Sequence, residues 1–347
     1  MFNLLAENWR PLGLERFGPP ARFSWLLITP VASYGSARHL VLILLDRAST
    51  RPVLVAKLPR LAGDHLYLEH EVVALRAAQA ARPSGFDSIP RVVATGEVSG
   101  RRLLVETALD GRQMTPAFLR RRFEACTAAV TEWLIEFHQA TADPRGVNVT
   151  ALLDRPLEDF APMLIRTNED EWLVRRTRAI LAPLCDARLP AVFEHGDLFY
   201  PNLLLHDGSI AVLDWETGEP RGFPAGDLFF FLGCAAFARA SQADDDVDVG
   251  PFDEAFFPAA SWTRPFIRRY VEALGLDRAL LTPLFIAFWT RFVVTKAARM
   301  AGAAARDFDS LRRTGTLEHM ARHLHALREY HLWRHAVLNI DRLHWNL

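Results

Sequence analysis

Near residue 110 the chain changes its periodicity, and this change constrains the fold more than any other feature. Before it, ARFSWLLIT (21–29), HLVLILLD (39–46) and PVLVAKL (52–58) are short apolar runs separated by turn residues, which predicts a three-stranded antiparallel meander. DHLYLEHEVVALRAAQAA (64–81) then places Leu68, Val72 and Leu75 at helical spacing, and Pro83 with Gly85 stops it. IPRVVATGEVSGRRLLVE reads as a hairpin turning at Ser99-Gly100. Beyond it, Phe123, Cys126, Val130, Trp133, Leu134 and Phe137 share one helical face between Pro116 and Ala142, and helical patterns return at 170–188, 225–240, 265–274, 283–305 and 318–338. A chain of 347 residues exceeds the usual size of one core. The expectation is therefore an α+β, bilobal protein. Residues 1–108 form a lobe of five antiparallel strands and one helix, and 109–347 a larger, mainly helical lobe.

Charge excludes one class of function. Lys and Arg total 40 against 41 Asp and Glu, so the net charge does not support a nucleic-acid-binding surface. Cys126, Cys185 and Cys234 are odd in number, far apart and in apolar surroundings, which fits buried free thiols in a reducing cytoplasm better than a disulfide or zinc framework. The N-terminus lacks the basic-then-apolar order of a signal peptide. The most apolar stretches, 228–238 and 284–298, are too short to cross a bilayer, and Arg291 and Lys296 interrupt the second. The expected partner is a small molecule, with neither nucleic acid nor membrane.

The chemistry concentrates in PAVFEHGDLFYPNLLLHDGSIAVLDWETG, residues 190–218. His195-Gly196-Asp197, Asn202 and Asp214 sit there between short apolar runs. The layout suits phosphoryl transfer: Asp197 accepts the proton of an acceptor hydroxyl, while Asn202 and Asp214 offer two hard oxygen ligands to a Mg2+ that bridges nucleotide phosphates. Each residue alone reads equally well as a turn residue. The joint spacing favours the chemistry.

These residues resemble the aminoglycoside phosphotransferase family, small-molecule kinases with a protein-kinase-like fold. Its HGDxxxxN box matches His195, Gly196, Asp197 and Asn202, and its following box matches Val212, Leu213, Asp214 and Trp215. The resemblance implies Asp197 as catalytic base, His195 as the residue ordering the catalytic loop, and Asn202 and Asp214 as metal ligands. Lys57 in VLVAKL resembles the protein-kinase phosphate-binding lysine, and EVVALR resembles the family's ExxxLR helix, which favours Glu71 as its partner and leaves Glu69 open. The resemblance further implies that the loop PVASYGSAR, with Ser33, Tyr34, Gly35 and Ser36, covers the phosphates, and that adenine pairs with the backbone around Glu106, Thr107 and Ala108. Gly226-Asp227 resembles the family's Gly-Asp helix start, and His138 lies in a segment similar to the helix beneath the catalytic loop. The implied reaction is ATP- or GTP-dependent, Mg2+-assisted phosphorylation of a small-molecule hydroxyl: an aminoglycoside, amino alcohol, sugar or antibiotic. A kinase-like binding or scaffold protein that transfers nothing is the alternative.

Other features carry less. His319/His323 and His331/His335 have i, i+4 spacing but lack a third zinc ligand. Arg120–Arg122 reads as a solvated helix start. The acidic run containing Asp244, Asp245, Asp246, Asp248, Asp253 and Glu254 is a solvated loop or a contact for a cationic acceptor.

Overall fold

The computed structural model describes residues 1–28, 39–60, 65–241, 247–301, 311 and 313–345. The expected phosphate loop, with Ser33, Tyr34, Gly35 and Ser36, lies outside the described residues, as do Asp244, Asp245 and Asp246. The chain divides into two compact units, Met1–Met114 with His195–Pro220, and Thr115–Glu194 with Arg221–Leu347.

In the first unit, β1 (Phe23–Ile28), β2 (His39–Asp46), β3 (Pro52–Pro59), β4 (Val92–Val98) and β5 (Arg101–Thr107) form one antiparallel sheet in the order β1-β2-β3-β5-β4. The β4–β5 turn falls on Ser99 and Gly100, both at positive φ, as a two-residue hairpin turn requires. The N-terminal segment, including α1 (Phe2–Glu7), packs Leu5, Trp9 and Leu14 against Phe23, Leu42, Leu44 and Leu54. Helix α2 (His65–Ala80) buries Leu68, Glu71, Ala74, Leu75 and Ala78, so a glutamate shares its apolar stripe. A short sheet joins β6 (Arg112–Gln113) to the hairpin of β8 (Leu203–His206) and β9 (Ser209–Val212). Residues 195–220 thus group with the first 114 because backbone bonds tie them there: Met114 N–H to Leu203 O at 2.9 Å, and Val212 N–H to Ser88 O at 2.8 Å.

The second unit is helical around the short strand β7 (Val192–Glu194). The helix expected over 116–142 is two, α3 (Pro116–Arg121) and α4 (Phe123–Thr141), because Arg122 leaves helical geometry at φ −127° and ψ 38°. Next come α5 (Arg155–Leu164), α6 (Asn168–Asp186), α7 (Gly226–Ala240), α8 (Gly250–Phe256), α9 (Arg264–Leu274) and α10 (Leu281–Ala301). The expected 318–338 helix also divides, into α11 (Thr316–His325) and α12 (Arg328–Leu338), where Leu327 turns extended. The core lies between α7, α8 and α10, where Phe229, Phe252, Phe256, Phe285 and Trp289 meet edge to face or tilted, with Phe252 and Phe285 stacked. Gly233 permits this approach: a Cβ there would lie 3.0 Å from the Trp289 ring. Residues 278–301 are long and apolar enough to span a membrane by composition, yet 61% of their most apolar 18-residue stretch is buried inside the protein.

Candidate active site

Lys57 shares β3 with residues whose neighbours are apolar, and its ammonium is enclosed rather than solvated. Lys57 is 7% exposed, Glu71 0% and Glu106 2%. Lys57 Nζ lies 2.5 Å from Glu71 Oε1 and 3.1 Å from Glu106 Oε1. Glu71 therefore takes the position for which Glu69 was the rival, while Glu69 pairs with Arg102 at the surface, 2.9 Å away. Burial raises the Glu71 carboxyl above its ordinary value against the pull of Lys57, and the like charges of Glu106 and Asp214 add to the rise. Burial raises Glu106 too. Desolvation opposes the Lys57 charge, but Glu106, Glu71 and Asp214 outweigh it and hold the ammonium above its ordinary value.

The Glu106 side chain was not among the groups the sequence singled out. It reaches Lys57 because β3 and β5 pair Lys57 with Leu104, leaving Glu106 diagonal to it two residues on. The N–H of Thr107 donates to Arg91 O at 2.9 Å and that of Ala108 to Val53 O at 3.0 Å, so both donors are already engaged in closing the sheet.

The catalytic loop is held by its histidine. Buried His195 contacts Leu213 O through Nε2 at 2.9 Å and accepts the Asp197 N–H at Nδ1, 3.2 Å away, an arrangement that puts its proton on Nε2. Its ring meets Trp215 edge-on, with centroids 4.7 Å apart. His195 thus fastens the loop to the chain just before Asp214. Gly196 has φ +77°, and a Cβ there would sit 2.9 Å from Thr217 O. Thr217 Oγ1 in turn donates to His195 O at 2.8 Å. Asn202 Nδ2 donates to Asp197 O at 3.0 Å and approaches Asp197 Oδ2 at 3.4 Å.

Asp214 takes φ +64°, a left-handed conformation that Asp tolerates but most side chains avoid. Its neighbour Trp215 donates its backbone N–H to Glu71 Oε1 at 3.3 Å and its indole N–H to Val212 O at 3.0 Å. The turn is fixed on both sides. The donor set suits a hard divalent cation. Asn202 commits its amide nitrogen to Asp197, which leaves its oxygen as the ligand atom, and Asp214 offers a carboxylate. Among the described residues no group of three or more His, Cys, Asp or Glu could hold a metal.

A buried lysine–glutamate pair, an HGD loop and an aspartate at positive φ whose following N–H reaches the same glutamate agree with a family match over residues 35–274, to the phosphotransferase enzyme family, APH. The chain belongs to this family. Among curated proteins none matches it significantly in sequence. Among solved structures, a choline/ethanolamine kinase family protein from Mesorhizobium loti is similar with TM-score 0.54 and 17% identity, covering 97% of this chain and 99% of that one. An aminoglycoside 2′-phosphotransferase-IIIa variant in complex with GDP gives 0.52 at 13%, covering 92% and 98%. A Plasmodium vivax ethanolamine kinase gives 0.50 at 12%, covering 93% and 89%. At these identities the likeness is one of fold, and the fold is protein-kinase-like.

In this phosphotransferase the second unit carries its own buried polar groups. Ala225, at φ +68°, donates its N–H to Tyr270 Oη at 3.0 Å, and the same hydroxyl lies 2.6 Å from His138 Nδ1. His138 Nε2 faces Asp227 at 3.7 Å, so both residues singled out by resemblance are buried beside each other. Glu194, which directly precedes the HGD box, is held by Arg291 at 2.5 Å and by the Phe223 N–H at 3.1 Å. No sequence signal pointed to that pair. Two described residues of the acidic segment are engaged internally, while Glu254 is exposed: Asp253 accepts from His335 at 2.8 Å and from both terminal nitrogens of Arg342 at 2.9 Å, and Asp248 caps the Gly250 N–H.

Proposed function

We propose that this phosphotransferase moves the terminal phosphoryl group of ATP or GTP to a hydroxyl of a small molecule, with an amino-bearing alcohol as the favoured acceptor class. The observation that carries the reading is the shared Glu71 oxygen, which binds both the Lys57 ammonium and the backbone N–H following Asp214. One carboxylate thereby coordinates a phosphate-binding cation with a metal-binding aspartate, an arrangement that phosphoryl transfer uses and a plain scaffold does not need. The solved relatives support the acceptor class: they are a choline/ethanolamine kinase family protein, an ethanolamine kinase and an aminoglycoside phosphotransferase. Cys126, Cys185 and Cys234 are all free, and of the three only Cys126 is buried as expected, Cys185 lying exposed near the end of α6; unpaired thiols support a cytoplasmic site of action.

In this reading Asp197 receives the acceptor's hydroxyl proton as the acceptor oxygen forms its bond to phosphorus. The bond from phosphorus to the nucleoside diphosphate breaks, and its electron pair leaves with the diphosphate. His195 holds Asp197 in place from behind, and the Asn202 amide steadies the Asp197 backbone and carboxylate. Lys57 holds phosphate oxygens of the donor. Mg2+, when bound at Asn202 and Asp214, supplies neutralisation of the charge on the transferred group.

The test is a nucleotide-consumption screen over aminoglycosides, amino alcohols, sugars and nucleosides, with Asp214→Ala as the blank. Acceptor-dependent consumption of ATP or GTP by the wild type alone supports the proposal. Nucleotide binding with no consumption on any acceptor favours the scaffold reading instead.

A further inference from the structure

Lys57 has more anionic company than a phosphate-binding lysine requires. Glu71 accounts for itself, since it orients the ammonium and receives the Trp215 N–H. Glu106 makes no comparable second contact. Its Oε1 meets Lys57 at 3.1 Å, and its Oε2 is buried without a hydrogen-bond partner. No other Lys or Arg among the described residues bridges to either carboxylate. Asp214 adds a third negative group close enough to act on the same ammonium.

We propose, on the basis of the function above, that Glu106 is a positioning residue for the donor's phosphates, orienting the Lys57 ammonium while its charge limits how tightly a polyphosphate binds there. An ammonium has three N–H donors. With Glu71 and Glu106 each taking one, the direction of the third is fixed, and that donor remains for a phosphate oxygen. The carboxylate that fixes it is also a buried negative charge beside an incoming polyanion, in surroundings where charges are weakly screened. Orientation and repulsion therefore come from one side chain, and removing the charge while keeping the acceptor separates them.

Glu106→Gln makes that separation, and Glu106→Met repeats the loss of charge without a buried amide. Both variants are first checked by thermal melting for a cooperative transition. Binding of adenosine, ADP and AMP-PNP is then measured by calorimetry on wild type and variants, with the guanine series used if the wild type consumes GTP. The expected result is tighter binding that grows with phosphate charge: unchanged for the nucleoside, and about tenfold tighter, roughly 1.4 kcal/mol, for the triphosphate analogue. In steady state the effect of Glu106→Gln appears in KM for the nucleotide, whereas that of Glu71→Gln appears in kcat. An equal change for nucleoside and triphosphate, or none, or weaker triphosphate binding in both folded variants, overturns the inference while leaving the function intact. A wild type that binds none of the three overturns the functional reading and this inference with it.

Discussion

Glu71 Oε1 binds the Lys57 ammonium at 2.5 Å and accepts the Trp215 N–H at 3.3 Å, so one oxygen couples α2 to β3 and to the turn after Asp214, both halves of the proposed donor site. Glu71→Ala removes both contacts at once. Turnover should fall by at least about 10^2-fold, the usual scale for losing one aimed electrostatic contact. Glu106 still pairs with Lys57 in that variant, so the stability loss should stay at or below the ~3–5 kcal/mol of a fully orphaned buried charge. Initial rates and urea midpoints measured on one preparation separate the two effects. Wild-type turnover in a folded Glu71→Ala protein would contradict the coupling.

Asp197 and Asp214 should fail differently. Asp197→Asn keeps the hydrogen bond from Asn202 to the Asp197 backbone and removes the proton acceptor, so kcat should drop by roughly 10^2 to 10^4 with nucleotide binding retained. Asp214→Ala should remove metal-dependent turnover altogether, and Asn202→Ala should raise the Mg2+ concentration giving half-maximal rate. A metal titration of the three variants reads these outcomes directly. Similar metal dependence in wild type and Asn202→Ala would remove Asn202 from the metal site.

How much of this was legible depends on the distance over which each contact is made. His195, Gly196, Asp197, Asn202 and Asp214 lie within 20 residues, and their types and spacing point to the family without any tertiary information. The five strands and α2 were also legible, because each follows a simple period bounded by turn residues. Glu106 was not, since its approach to Lys57 depends on the β3–β5 register, which strand pairing sets rather than local sequence. Glu194 and Arg291 are 97 positions apart, and only the packing of α10 brings them together. The breaks at Arg122 and Leu327 carry neither Gly nor Pro, so the helical period runs through them in sequence although the backbone does not.

Asp253 tests whether the acidic segment serves stability or acceptor binding. Desolvation opposes its charge, yet hydrogen bonds from Arg342 and His335 hold its carboxyl below the ordinary value. A depressed folded-state value stabilises the protein above the unfolded carboxylate range, and that stabilisation is lost as pH falls through the folded value. Asp253→Asn should therefore lower stability at pH 7, by about 1 kcal/mol once screening at half-exposed Arg342 is allowed for. The gap from wild type should narrow as pH is lowered from neutral through the carboxylate range, and KM for the acceptor should not move. Urea titrations at several pH values check the first part. An acceptor KM that rises severalfold with stability unchanged would return Asp253 to the acceptor site.

Gly196 offers the sharpest test of how the catalytic loop is built. Its φ of +77° favours glycine, and an alanine Cβ there would meet Thr217 O at 2.9 Å and Thr217 Oγ1 at 3.2 Å. Relief of that clash must push away Thr217, whose hydroxyl holds His195 O at 2.8 Å, so the strain is passed to the residue that positions Asp197. Gly196→Ala should cost about 1–3 kcal/mol of stability and reduce kcat as well. Thr217→Val removes only the hydrogen bond, at about 1 kcal/mol, and leaves the glycine conformation alone. Urea midpoints and initial rates should therefore rank wild type first, Thr217→Val second and Gly196→Ala last. If Gly196→Ala matched Thr217→Val in both readouts, the clash would be relieved elsewhere and the loop would not depend on close contact with Thr217.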